Sequence, residues 1–287
     1  FPSGSLGYRI SEEAYFAEAK EYVSNLKLRA SWGQNGNQSV SNFQYYTTVG
    51  FAERDSYYFG GDGKGSTNNQ TPTTGGYFAT LANPDISWET SEQINVGIDA
   101  RFLNNRLGFA FDWYKKTTKD WLVRAPILGV YGIGAPYING GDIRNRGYEF
   151  LVSWNDNVGD FSYGVSATFS HNDNLVTKIA NSEGIIHGGD NVIAQNTDEL
   201  YRVQVGYPIG YFWAYKTDGV FQNQAEIDEW VAAGKPTMGT PAQPGDLIFV
   251  DYNEDGTLDV NDKTMVGDPN PDFILGLNLS FYLYGFD

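Results

Sequence analysis

The chain has 287 residues, with 19 Lys and Arg against 35 Asp and Glu for a formal charge of −16, and it has no cysteine. That balance repels phosphate backbones and anionic lipid head groups, so nucleic acid is excluded as a partner. The missing thiols exclude a disulfide framework, a thiolate metal site and a cysteine nucleophile. Aromatic residues at 16% and 34 glycines, against only 19% charged residues, favour many strands joined by glycine-punctuated turns.

Taken in order, residues 12–21 predict a short helical stretch whose Glu12, Glu13, Glu18 and Glu21 are solvated. Residues 26–32 read as a strand, because Leu26, Leu28, Ala30 and Trp32 alternate with Lys27, Arg29 and Ser31. A long connection, 34–85, follows. Its Gly60-Gly61-Asp62-Gly63-Lys64-Gly65-Ser66 fits neither the dinucleotide fingerprint nor the P-loop spacing and reads as a loop tip. Beside it, Tyr57-Tyr58-Phe59 offers flat rings, and Tyr57 and Tyr58 are candidates for substrate or partner contact.

The next strands come as hairpins. Ile94, Val96, Ile98, Ala100 and Phe102 alternate with polar residues, and across the turn 103–106 the same period continues in Leu107, Phe109, Phe111 and Trp113. After a second long connection, 115–141, Tyr148, Phe150, Val152 and Trp154 alternate, then a turn at 155–160, then Phe161, Tyr163, Val165, Ala167 and Phe169. A third connection, 178–271, holds the aromatic run Tyr211-Phe212-Trp213 with Tyr215; Tyr211, Trp213 and Tyr215 are further contact candidates, with plain loop packing as the competing reading. Residues 247–250 read as a short strand, and Phe273, Leu275, Leu277, Leu279, Phe281 and Leu283 as a final one.

Between those last two strands, residues 251–262 place Asp251, Asn253, Asp255, Thr257, Asp259 and Asp262 at positions 1, 3, 5, 7, 9 and 12 of a twelve-residue loop, with Gly256 at position 6. That is Ca²⁺-loop spacing, Gly256 supplying the sharp turn and Thr257 its backbone carbonyl. The shorter Asp262 in place of a bidentate Glu predicts an affinity on the order of 10⁻⁴ M, and a strand ahead of the loop in place of a helix makes it a solitary structural site. An acidic Asx-rich turn that binds no metal has the same composition.

The apolar faces run about 9 to 11 residues, the length a tilted strand needs to cross a bilayer. Short turns at one end and long Gly-, Asn-, Thr- and Tyr-rich loops at the other predict an all-β, antiparallel outer-membrane β-barrel segment with short periplasmic turns and long extracellular loops. Trp32, Trp88, Trp113, Trp121 and Trp154, near strand ends, suit interfacial girdles. The same period fits a secreted carbohydrate-binding or adhesive β-sandwich with a structural calcium loop, and periodicity does not separate the two. No catalytic motif emerges. His171 and His187 lack metal-site spacing partners, no Gly-x-Ser-x-Gly elbow occurs, and a glycoside hydrolase needs two facing carboxylates that sequence does not place.

Several stretches carry a family likeness: Phe1-Pro2-Ser3, Leu26-Lys27-Leu28-Arg29-Ala30-Ser31-Trp32-Gly33, Asn83-Pro84-Asp85, Gly206-Tyr207-Pro208-Ile209-Gly210, Lys216-Thr217-Asp218-Gly219-Val220-Phe221, and the tail from Pro244-Gly245-Asp246 to Gly267-Asp268-Pro269-Asn270-Pro271-Asp272-Phe273. Together they resemble the barrel of SusC/RagA-type TonB-dependent outer-membrane transporters over nearly the whole chain. The resemblance implies a plugged barrel of about 22 strands, import of a glycan or peptide, a SusD-like surface lipoprotein and TonB as partners, outer-membrane lipid around the wall, and no catalysis. It further implies that 1–287 is an incomplete part of one transmembrane β-barrel domain, with plug domain and terminal strands elsewhere, and that 246–271 is an extracellular loop carrying the calcium site.

Overall fold

The computed structural model describes residues 1–51, 76–125, 127, 129–190, 192–238 and 241–284. β1 (Ser3–Arg9) leads through two 3-10 turns, Ile10–Glu12 and Ala14–Glu21, into β2 (Val23–Asn37). β3 (Thr48–Phe51) and β4 (Gly76–Thr80) form a two-stranded arm, followed by β5 (Glu89–Phe102) and β6 (Leu107–Lys119). A second arm, β7 (Leu122–Arg124) with β8 (Tyr137–Asn139), precedes β9 (Gly141–Val158) and β10 (Phe161–Ile179). Then come β11 (Ile185–His187), β12 (Tyr201–Gln204), β13 (Tyr211–Tyr215), β14 (Thr217–Val220), α1 (Gln224–Ala232), β15 (Leu247–Phe249), β16 (Lys263–Gly267) and β17 (Phe273–Leu283).

One antiparallel sheet dominates, in the order β1-β2-β5-β6-β9-β10-β17. Its register aligns the alternating apolar positions into rows that cross every strand: Tyr8, Leu28, Ile98, Phe111, Phe150, Phe169 and Leu275 are successive cross-strand partners. A one-residue slip would turn each of these side chains to the other face, so the row of large residues fixes the pairing. Phe111 and Phe150 meet at 4.8 Å between ring centroids. Among the described residues, no second sheet covers this face. Leu275 and Leu277 are 76% and 70% exposed, and the opposite face carries Arg29, Gly97, Asp112 and Glu149 in a single row. A soluble sandwich buries its apolar face against a partner sheet, so the sandwich reading is set aside.

The strands outrun their apolar stretches. β6 continues to Lys119, and the 18 residues of β9 face the 19 of β10. Beyond the aromatic residues both faces turn polar, so alternation disappears from the sequence while the backbone ladder continues. The expected connection 115–141 therefore begins as strand, and the expected turn 155–160 shrinks to Gly159-Asp160, because Asn155 to Val158 remain paired with β10. Gly159 has φ +63 at the first central position, where a type II′ hairpin turn wants glycine. The turn between β5 and β6 has Leu103, Asn104 and Asn105 at φ +55, +56 and +67, a left-handed run that asparagine tolerates better than most residues.

All three short turns lie at one end of the sheet. At the other stands a lobe built from the 178–271 connection: a four-stranded sheet β11-β12-β13-β16, the pair β14-β15, and α1, capped by Asn223 Oδ1 accepting the Glu226 amide at 3.0 Å. Backbone bonds from the Val176 amide to Tyr207 O and from the Gly206 amide to Val176 O, both 2.9 Å, tie the lobe to the tip of β10. The buried hydrophobic residues gather mostly here and at this junction: Ile143, Val176, Tyr211, Phe221 and Ile227.

Candidate functional site

Two surfaces at the lobe end have the makings of a site: the upper polar face of the sheet and the lobe above it. On the polar face, Arg29 of β2 sends Nε to Asp99 Oδ2 at 3.1 Å and its two terminal nitrogens to the Asp112 oxygens at 2.5 Å each. The fork fits because Gly97 lies between the two acids; a Cβ there would stand 2.7 Å from Asp112 Oδ1 and 2.8 Å from Arg29 Cζ. Nearer the lobe the charges give way to amides. Tyr114 OH donates to Asn172 Oδ1 at 3.0 Å, Asn174 Nδ2 to Asn145 Oδ1 at 2.8 Å, and the Ile209 amide to Asn174 Oδ1 at 2.7 Å. This ladder joins strand wall to lobe. Its members sat in the polar columns of the alternation, and only the register brings them together.

Within the lobe, the aromatic run folds as β13. Tyr211 is fully buried, stacked 4.7 Å from Tyr207 with its hydroxyl donating to Gln204 Oε1 at 2.6 Å. It presents no surface to a ligand and is a packing residue, correcting the contact role expected of it. Trp213 is half-buried under the Arg202 guanidinium, 3.9 Å from its ring centroid. Tyr215 sits between Phe249, 5.7 Å away edge-on, and the Lys263 ammonium at 5.4 Å. Phe212, of the same run, is the more exposed ring at 44%. Tyr57 and Tyr58 lie outside the described residues, as does the glycine-rich stretch 60–66.

A charged cluster that sequence reading missed braces this sheet. Glu199 forms an ion pair with Arg202, accepts the Gly188 amide at 3.0 Å, and takes His187 Nδ1 at 2.9 Å. The other His187 nitrogen reaches Glu183 Oε1 at 3.1 Å. The bonds to Glu199 and then Glu183 raise the His187 pKa. Burial works against ionisation of Glu199, but the bonds from His187 and Arg202 outweigh it and lower its pKa. Asp198, bonded to Lys263 at 2.8 Å, is also lowered. His171 lies elsewhere, its Nδ1 donating to Asp272 O at 2.6 Å. Neither histidine approaches a metal-ligand set.

The Asp/Asn loop folds tightly on its own amides. Asp251 accepts the Asp255 and Gly256 amides at 3.2 and 2.7 Å. Asp255 takes the Thr257 amide and hydroxyl at 2.9 and 2.6 Å, and Asp259 takes the Asn261 amide at 2.7 Å. Asp262, buried, closes the ring by accepting the amides of Tyr252 and Asp259 at 2.9 and 2.8 Å. The Asp259 amide chiefly, helped by those of Asn253 and Tyr252, lowers its pKa; Asp255 is lowered by Thr257. Gly256 holds φ +84. Glu254, at φ +60, lines a cavity of about 410 Å³ with Asp251 and Gly256 of the same loop and with Trp230 and Lys235. Among the described residues, no group of three or more His, Cys, Asp or Glu is gathered as a metal cage.

Comparison with known proteins agrees with this architecture. The family described as "TonB dependent receptor-like, beta-barrel" matches residues 1–281. TonB-dependent receptor P3 of Formosa agariphila is 30% identical over 100% of this chain, which covers 27% of that protein. The TonB-dependent receptor SusC of Bacteroides thetaiotaomicron is 29% identical over 100% of this chain and 26% of its own length. Among solved structures, the RagAB peptide transporter superposes with a TM-score of 0.70 at 22% identity, over 97% of this chain and 27% of that one. The chain thus spans about a quarter of the length of the curated relatives it matches. The uncovered apolar face is the lipid-facing side of a barrel wall and the Arg29 face its lumenal side, and the chain belongs to the TonB-dependent receptor-like β-barrel family of the outer membrane.

Proposed function

We propose that this chain forms part of the wall and one extracellular lobe of an importer that carries a glycan or peptide across the outer membrane, driven by TonB and covered by a SusD-like lipoprotein. One observation carries the reading: an apolar face that crosses seven strands uncovered, backed by a polar lumenal face that rises without interruption into a lobe at one end. A wall of this kind moves cargo by exchanging contacts and needs no acid/base pair. The exposed Phe212, with Trp213 and Tyr215 behind it, gives the lobe flat surfaces that suit either sugar rings or peptide side chains. In the same reading the Asp/Asn loop is a structural Ca²⁺ site. Its carboxylates accept the loop's own amides, and because a carboxylate oxygen carries more than one lone pair, those bonds do not exhaust their capacity to take a cation.

The test is uptake of labelled oligosaccharides and peptides by cells carrying the full-length protein, compared with cells lacking it and with cells whose proton gradient has been collapsed. Energy-dependent uptake of one class, lost on deletion, is the expected result. Unchanged uptake in the deletion strain for every cargo of both classes overturns it.

A further inference from the structure

Where β13 runs on into β14, the lobe carries a cavity of about 530 Å³ whose lining holds one charged side chain, and that charge is positive. Lys216 stands at the joint between the two strands, its backbone fixed by the Val250 amide, which donates to Lys216 O at 2.9 Å. Its side chain is exposed, and the ammonium has neither an ion pair nor a hydrogen bond among the described residues. The other lysine of this region is already answered: Lys263, 5.4 Å from the Tyr215 ring centroid, bonds to Asp198 at 2.8 Å. The chain carries 35 acidic residues against 19 basic ones, so a cavity lined by an unpaired cation and no carboxylate runs against its composition. The acids nearest in sequence, Asp218 and Asp251, line the cavity beside Trp230 instead.

We infer that this cavity is a carboxylate subsite, taking an acidic group of the cargo: the side chain of an acidic peptide residue or the uronic acid of a glycan, which present the same carboxylate. Lys216 supplies the ammonium for the ion pair. Thr217 and Thr264 line the cavity with hydroxyls that can donate to the same carboxylate. β16 is the outer strand of its sheet, so alternate amides along 263–267 point away from β13 and add further donors. Tyr215 and Tyr252 give the rest of the ligand flat apolar walls, and Tyr252 is held in place by Asp262 Oδ1, which accepts its amide at 2.9 Å. The chain's charge of −16 does not decide against an anion here, because charges beyond about 8 Å are screened at physiological salt. As a contact for cargo the subsite rests on the import reading; as a carboxylate site it does not.

Titration calorimetry on the purified full-length transporter in detergent provides the test, with two matched pairs of probes: a capped alanyl-glutamyl-alanine peptide against its glutamine counterpart, and trigalacturonate against its methyl ester. In at least one pair the acid should bind about fivefold more tightly than its neutral partner, the scale of one ion pair at an exposed site. Preference in the peptide pair alone assigns the carboxylate to a peptide, preference in the sugar pair alone assigns it to a uronic acid, and preference in both shows that the carboxylate is read by itself. Lys216→Gln should abolish the preference, Lys216→Arg should keep it, and Lys235→Gln, in the other cavity, should leave it unchanged. Heat-modifiable gel mobility, the same in every variant, separates lost binding from lost folding. No preference for the acid in either pair, or a preference that survives Lys216→Gln in folded protein, overturns the subsite. Energy-dependent uptake by cells is a separate reading, so the subsite can fail while the import function stands.

Discussion

Arg29 shows how little room a lumenal wall leaves for a side chain that bridges three strands. Gly97 is the position that makes the bridge possible. In Gly97→Val the new side chain must push apart a guanidinium and a carboxylate already in contact, and the full-length barrel should lose about 1–3 kcal/mol. Gly4, where an added Cβ meets nothing within 4 Å, is the matched control, and Gly4→Val should stay within about 0.5 kcal/mol. Thermal loss of the folded band on a gel measures both, and equal shifts would show that the fork imposes no special constraint. The Asp/Asn loop is a second local question. Four aspartates share one short turn, and without a cation their mutual repulsion works against the amide bonds that fold it. Chelator should therefore raise protease cleavage within 246–271. Asp251→Ala and Asp255→Ala should reproduce that effect and Glu254→Ala should not, since Glu254 stands at position 4 of the loop, outside the ligand positions. Cleavage indifferent to chelator leaves an acidic turn and no ion.

Among the elements, β11 hangs on the edge of the lobe sheet by three residue pairs with β12, and His187 at its end is clamped between Glu199 and Glu183. The sign follows from the raised pKa. The imidazolium's contribution is fully present below the ordinary histidine value near 6.5 and is lost as pH rises through the raised one. Proteolysis of residues 180–190 should accordingly increase on the alkaline side, and His187→Gln should remove the pH dependence; a pH-independent rate in the native sequence would deny the clamp any role. Orientation belongs to the same scale. If the short turns are periplasmic, a thiol label should reach Lys235→Cys and not Asn104→Cys on intact cells, and the opposite pattern inverts the topology. The long alternating strands were legible beforehand because each column of Leu, Ile, Phe and Trp meets lipid over the whole apolar band. β1 was not, since Ser3–Arg9 offers only Leu6 and Tyr8 among glycines and serines. Of the lobe strands, β15 was legible as the short apolar run 247–250, but the others were not: three to five residues give no period to read, and a run such as Tyr211–Tyr215 is apolar on both sides. Arg29, Asp99 and Asp112 were visible as polar positions, but their meeting depends on register between strands up to 83 residues apart, which no local pattern encodes.

For the molecule as a whole, surface is the deciding quantity. The chain exposes 19333 Å², where a compact protein of 31.9 kDa exposes about 12,000 Å². Among the described residues, the lipid-facing side of the sheet and its two edge strands contribute to that excess. β1 and β17 each present an unpaired ladder, and every residue of β17 is exposed. In a closed barrel those ladders pair with neighbouring strands, and in a bilayer the apolar face meets acyl chains, so neither feature is a defect in place. Taken out of that setting, the same features become adhesive. Residues 1–287 produced alone in aqueous buffer should associate through the β1 and β17 edges and give no cooperative thermal transition, because the packed hydrophobic interior of the described residues lies mostly in the lobe and its junction with the wall. Residues 180–271, by contrast, keep the buried Tyr211, Phe221 and Ile227 together with the Arg202–Glu199–His187 cluster, so that piece should retain strand-type circular dichroism and stay monomeric longer. Size-exclusion chromatography with circular dichroism on both pieces decides the matter. A monomeric, cooperatively melting 1–287 would mean that the sheet's stability does not depend on closure of the barrel.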